Sequence, residues 1–137
     1  MYPKVVKYTD YNGVEREETI FFNLSKAEVT ELELGTAGGL TAILSKLIKS
    51  PDTVALSKMY KDLILKSYGE KSADGKYFRK LSDTGVPLSI AFSQSEAYSV
   101  VYMDILNSRE SAFEFIKGIC PVEISEEELE KAVENYK

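Results

Sequence analysis

The chain has no histidine, no tryptophan and a single cysteine, Cys120. Without histidine there can be no imidazole acid–base catalysis and no histidine-ligated metal site. One thiol can neither close an internal disulfide nor build a multi-thiolate zinc or iron–sulfur centre. Long apolar runs are missing too: no stretch approaches the about 20 continuous apolar residues that a membrane-spanning helix requires. The opening Met1-Tyr2-Pro3-Lys4 lacks the apolar region of a signal peptide. Nor is there an excess of positive charge. Seventeen basic residues against 22 acidic ones, a formal net charge of −5, argue against a nucleic-acid binder working through bulk charge. The expectation is a soluble intracellular protein with no cofactor, metal, nucleic acid or membrane among its partners.

What remains is ample for a core. Leu, Ile, Val and Phe supply 38 of the 137 residues, too many for a chain that fails to collapse. A chain of this length forms one domain and buries roughly two-thirds of its unfolded surface without help from disulfides. The expected fold is α+β and mostly α-helical, a single domain over 1–137 made of a hairpin (2–22), a helical body (25–119) and an acidic C-terminal helix (125–136).

Residues 2–9 and 14–22 are rich in β-branched and aromatic residues and are separated by Asp10-Tyr11-Asn12-Gly13. The Asn-Gly pair predicts a tight β-hairpin turn in which both residues tolerate positive φ. Ser25 and Glu28 have the spacing of a capping box, with Leu24 and Val29 as its hydrophobic staple, and open a helix over about 26–34 that Gly35 ends. Leu40, Ile43, Leu44, Leu47 and Ile48 trace an amphipathic helix stopped by Pro51. Leu56, Met59, Tyr60, Leu63 and Ile64 trace a second, about 53–68, that Gly69 terminates. Residues 70–81, with the turn sequence Ala73-Asp74-Gly75-Lys76, read as a loop or a small second hairpin. After the breaker cluster 82–87, Ser93 and Glu96 repeat the capping-box spacing and predict a helix over 94–107. Ser108 caps another over 109–118, ended by Gly118 and Pro121, and Ser125 with Glu128 opens the last. The layout is a β-hairpin followed by about five helices, with no repeat of fixed period.

Few motifs carry chemistry. Gly35-Thr36-Ala37-Gly38-Gly39-Leu40-Thr41 fits neither a phosphate-binding P-loop, which needs a lysine after its second glycine, nor a dinucleotide turn, which follows a strand. It reads as a helix–helix connection. Cys120 has apolar immediate neighbours and no group to lower its pKa, which suits a small buried hydrophobe. Glu126–Glu128 point in different directions on a helix and match no calcium loop; they suit a solvated first turn. No catalytic constellation is visible, and the chain is not expected to be an enzyme.

One segment stands apart. From Ala97 to Leu106 only Ser99 and Asp104 are polar. A helix that is apolar nearly all round is either central in the core or covered by another chain. Nine tyrosines add amphipathic surface: Tyr60, Ile64 and Tyr68 align at i, i+4 and i+8 on a helix, as do Tyr98 and Tyr102 at i and i+4. These tyrosine ridges are either a core rim or a docking face, and strand 4–8 offers an edge for strand addition. Tyr60, Tyr68, Tyr98, Tyr102 and Met103 are the candidate partner-binding residues.

The succession KYTDYNGVE, FFNLSKAEVTELEL, GGL, KDLILKSYGEKSADGKYFRK, FSQSEAYSVVYMDIL and AFEFIKGICP resembles the tail assembly chaperones of long-tailed bacteriophages and prophages of Gram-positive bacteria. Its most specific pieces are residues 63–78 and 92–98, within a resemblance over about 4–122. The resemblance implies a non-enzymatic assembly factor that binds the tape measure protein and tail tube (major tail) subunits during tail morphogenesis. It also implies action in the host cytoplasm, absence from the mature virion and, in many members, a longer form made by ribosomal frameshifting. Self-association is compatible with it. The rival readings are a minor structural tail component and a small phage regulator or anti-defence protein that binds a host factor.

Overall fold

The computed structural model describes residues 1–35 and 53–120. The expected helix over 40–49, the glycine pair Gly38-Gly39 and the acidic C-terminal helix lie outside them. Among the described residues the elements are, in order, β1 (Tyr2–Thr9), β2 (Glu15–Phe22), α1 (Lys26–Gly35), α2 (Thr53–Ser67), β3 (Tyr68–Lys71), β4 (Phe78–Arg79), α3 (Leu88–Ser93), α4 (Glu96–Asn107) and α5 (Arg109–Ile119). The fold is α+β, as expected, with an N-terminal hairpin and a small second one. The four strands make an antiparallel sheet in the order β1-β2-β3-β4.

Strand alternation decides which side of the hairpin is buried. In β1, Val6 is buried while Pro3, Val5, Lys7 and Thr9 are exposed. Across the ladder, Lys4 faces Ile20 and Tyr2 faces Phe22, so one sheet face carries Tyr2, Val6, Ile20 and Phe22 against the helices. That face meets Ala97, Val101 and Ile105 of α4 and Phe115, Ile116 and Ile119 of α5 in one hydrophobic cluster. Its interior is a run of rings. Phe22, with no exposed surface, lies edge-on to Phe115 (5.5 Å between centroids), Phe92 (6.0 Å) and Tyr68 (6.2 Å), while Tyr68 and Phe92 stack at 4.1 Å. Edge-to-face and offset-stacked pairs are the favourable ring geometries.

Three loops are built alike. Gly13, Gly75 and Gly85 each adopt positive φ (79°, 74° and 82°). Each donates its N–H to a carbonyl three residues earlier, on Asp10 (3.0 Å), Ser72 (2.9 Å) and Ser82 (2.9 Å). The side-chain oxygen of that earlier residue also accepts a backbone N–H beyond the glycine: Val14 for Asp10, Tyr77 for Ser72 and Val86 for Ser82. Asn12 does not share the positive φ expected of it. With Asp10 fixing the loop, only Gly13 need be left-handed, so the connection is a three-residue turn rather than a two-residue one. The third such turn, closed by a bridge from Leu81 to Pro87, occupies the breaker cluster.

The caps explain several boundaries. The Ser25–Glu28 box forms in both directions, with the Glu28 N–H donating to Ser25 Oγ (3.1 Å) and the Ser25 N–H to Glu28 Oε1 (3.0 Å). Ser108 caps α5 by accepting from the Ser111 N–H. The expected cap at Ser93 is corrected: Ser93 ends the short helix α3, and Ser95, accepting from the Tyr98 N–H, starts α4. Two glycines expected at helix ends serve close approach instead. Gly69 lies in β3, where a Cβ would come within 2.7 Å of the Arg79 carbonyl, and Gly118 lies inside α5, where one would meet the Tyr2 side chain at 2.6–2.8 Å.

Two groups bind the parts together. The Asn23 and Leu24 N–H groups donate to the carbonyls of Ser67 (2.7 Å) and Ile119 (2.9 Å), at the C-terminal ends of α2 and α5, where helices leave carbonyls unsatisfied. Lys80 donates from Nζ to the carbonyls of Asn23 (2.8 Å) and Lys66 (2.6 Å) and to Glu28 Oε2 (2.9 Å). Burial pulls Glu28 toward a higher pKa, but Lys80 and the Ser25 N–H together hold it below its ordinary value; burial lowers Lys80, against the pull of Glu28.

Phe22→Ala should lower stability by about 3–5 kcal/mol, the usual cost of emptying a buried aromatic site, read as a fall in the urea midpoint. A carboxyl whose folded pKa lies below its ordinary value stabilises above that value, and the stabilisation fades as pH falls through the folded one. The stability gap between the wild type and Glu28→Gln should therefore be present at pH 7 and close below about pH 4. A gap that persists at pH 3 would refute this role for the Glu28 carboxylate.

Candidate protein-binding surfaces

The five candidate residues are distributed unequally between core and surface. Tyr60, on α2, is 7% exposed and belongs to the core. Tyr68 is not on that helix: α2 ends at Ser67, whose Oγ donates to the Leu63 carbonyl at 2.7 Å, and the chain turns directly into β3. The expected Tyr60–Ile64–Tyr68 ridge is thereby broken, and the Tyr68 ring is half-buried, flat against Phe92.

Tyr98 and Tyr102 do share one flank of α4, their centroids 5.7 Å apart, with Tyr98 edge-on to Phe92. Both are half-buried. Burial raises the Tyr68 and Tyr98 phenols above their ordinary value, so each is a neutral hydroxyl near neutral pH.

The nearly all-apolar stretch of α4 is one-sided. Ala97, Val101 and Ile105, spaced by four, are buried, whereas Val100 and Met103 face solvent, Met103 at 51% exposure. Polar contacts fix the helix beside β1: Lys4 pairs with Asp104, and the Tyr11 hydroxyl donates to Glu96 at 2.9 Å. Met103 is thus displayed on an anchored element.

A second exposed apolar group was not singled out by the periodicity. Tyr77, Leu81, Val86 and Ile90 are each about half exposed or more. Tyr77 and Leu81 line an open groove of about 390 Å³ with Phe78, Arg79 and Lys80. The available signal was apolar residues set between two turn sequences, where helical or strand spacing has no meaning.

Burial pushes the Cys120 thiol up to about 11, so it is not a thiolate near neutral pH. Among the described residues no group of three or more histidine, cysteine, aspartate and glutamate side chains could hold a metal ion, and no helix is long and apolar enough to cross a membrane.

A family model for phage tail assembly chaperones matches residues 1–137. The chain belongs to that family. Membership supports a chaperone role in phage tail assembly for this fold, in a family that is generally non-enzymatic. No match is found among curated proteins or among solved structures. Exposed apolar side chains on a folded body are candidate sites of protein interaction.

Met103→Asp and Val100→Asp should leave stability within about 0.5 kcal/mol of the wild type, as exposed substitutions do. Tyr60→Asp should unfold the chain or cost more than about 3 kcal/mol, because it buries an unpaired charge. Thermal melts followed by circular dichroism separate the two classes, and an equal loss from all three would contradict the exposure pattern.

Proposed function

We propose that the protein binds the tape measure protein and tail tube subunits during tail morphogenesis, in the host cytoplasm, and leaves before the virion is complete. The observation that carries this reading is the family match across the whole chain. Met103 with the flanking rims of Tyr98 and Tyr102 forms the first docking face, and Tyr68 borders it through Phe92. Tyr60 acts from inside by holding α2 in place. Met and Tyr are residue types enriched at interfaces because they give large contact area with adaptable or amphipathic edges. A long-tailed phage or prophage of a Gram-positive host is the proposed source, with a longer frameshifted product sharing this chain. Self-association through the same faces would present them in multiple copies. The acidic balance of the chain keeps such a protein dispersed while its apolar faces are unoccupied.

Co-expression with the tape measure protein and the tail tube protein, followed by affinity capture, should recover one or both. Met103→Asp combined with Tyr102→Asp should reduce recovery at least tenfold while the melting curve shows a folded chain. Mass spectrometry of purified particles should lack the chain. Recovery of neither partner at low and moderate salt, or stoichiometric presence of the chain in virions, would overturn the proposal.

A further inference from the structure

Among the described residues the sheet contains an unpaired interior edge. β1 and β2 pair along eight residues, but β2 and β3 pair only at Phe21↔Gly69 and Phe22↔Tyr68. Beyond Gly69, β3 pairs with β4 instead, through Glu70↔Arg79 and Lys71↔Phe78. The result is a groove of about 500 Å³ between Glu18–Phe21 on one wall and Tyr68–Lys71 on the other.

The ladder fixes which β2 groups face that groove. In an antiparallel pair, hydrogen-bonded and non-hydrogen-bonded positions alternate. At the turn, the Asp10 N–H donates to the Val14 carbonyl. At the other end Pro3, which has no N–H, sits opposite Phe21 and so suits a non-bonded position. Both observations give the same phase: Pro3↔Phe21, Val5↔Thr19, Lys7↔Glu17 and Thr9↔Glu15 are the non-bonded pairs. The backbone N–H and C=O groups of Phe21, Thr19, Glu17 and Glu15 therefore point away from β1. Phe21 uses its groups on Gly69; those of Glu15, Glu17 and Thr19 have no strand partner among the described residues. The free stretch is about 17 Å long at about 3.4 Å per residue.

Charge selects the occupant. Arg16 is committed to Asp10, Nε to Oδ2 at 2.6 Å. The exposed Glu15 and Glu17 carboxylates make no hydrogen bond or ion pair among the described residues, although Lys7 stands opposite Glu17 in the ladder. Glu18 has one long contact to Arg16 at 3.9 Å and a side-chain hydrogen bond with Tyr8. Lys71 on the far wall is outnumbered by Glu18 and Glu70. A strand laid along this edge in register would bring alternate side chains to the same face as Glu15 and Glu17, where cations are favoured and like charges opposed.

We propose that Glu15–Thr19 of β2 is a docking edge for an extended, lysine- or arginine-bearing segment of a phage tail protein, which joins the sheet as an added strand. The source of that segment rests on the chaperone reading; the edge itself does not.

The test uses the intact chain and three fluorescent nine-residue peptides: one alternating lysine with threonine and valine, its glutamate-for-lysine counterpart, and the lysine peptide with alternate backbone amides methylated. The lysine peptide should bind, and both the methylated and the glutamate versions should bind at least tenfold more weakly. Thr19→Pro removes a groove-facing N–H but no bond to β1, so it should weaken binding tenfold with an unchanged melting temperature. Glu15→Lys with Glu17→Lys should do the same without touching the backbone. Equal binding of the methylated peptide, or no binding of the lysine peptide, would overturn the proposal whether or not Thr19→Pro folds. If wild-type and Thr19→Pro chains capture tail proteins equally, the edge is excluded and the chaperone reading stands. If the wild type captures none yet grips the lysine peptide, the edge stands and that reading falls.

Discussion

The stretch Phe22-Asn23-Leu24 is the constraint on which the other elements depend. Its two apolar side chains are buried in the common core, and its backbone is used at nearly every position. The N–H groups of Asn23 and Leu24 accommodate the carbonyls at the ends of α2 and α5, and the Asn23 carbonyl accepts from Lys80. Buried helix ends without partners cost the desolvation of each orphan group. Placing one extended dipeptide between two helix C-termini satisfies both at once and fixes the helices relative to the hairpin. Phe22 then sets the ring arrangement, since Phe115, Phe92 and Tyr68 all pack against it.

Lys80 extends that constraint to the second hairpin. Its ammonium meets two backbone carbonyls and the Glu28 carboxylate, with the Phe78 ring 5.7 Å away. The opposing pKa effects on Lys80 and Glu28 have one cause: a charge taken from water is penalised, and a good ion pair recovers part of the loss. The pair is consequently better regarded as a device that specifies geometry than as a large source of stability. It holds the 68–81 hairpin against the α1 cap, and this places Tyr77 and Leu81 outward and lets β3 part from β2.

Much of the fold was legible from local chemistry. The Ser25–Glu28 box, the Ser108 cap and the turn at Ala73–Lys76 are short-range, and their geometry follows from side chains reaching backbone groups a few residues away. The errors lie where a local signal had two meanings. Ser93 and Ser95 both precede Glu96 closely, and the short helix α3, which the periodicity did not reveal, used Ser93 for its own end. Gly69 and Gly118 looked like helix stops because glycine commonly follows a helix; their task is to admit Phe78 with the Arg79 carbonyl, and Tyr2, which are distant in sequence or on another element. Tyr68 followed the helical spacing of Tyr60 and Ile64, yet pairing of the chain with Phe21 and Phe22 turned it into a strand.

By itself the sequence determined the chemistry the chain cannot do, the α+β class, the hairpin and most helix starts, because composition and caps act over a few residues. It also carried the family resemblance. Tertiary structure decided which face of α4 is hidden, that Tyr60 is interior while Met103 is displayed, and that β2 keeps part of an edge unpaired among the described residues. These depend on which elements meet across long sequence separations, and the period of an apolar pattern does not specify its partner.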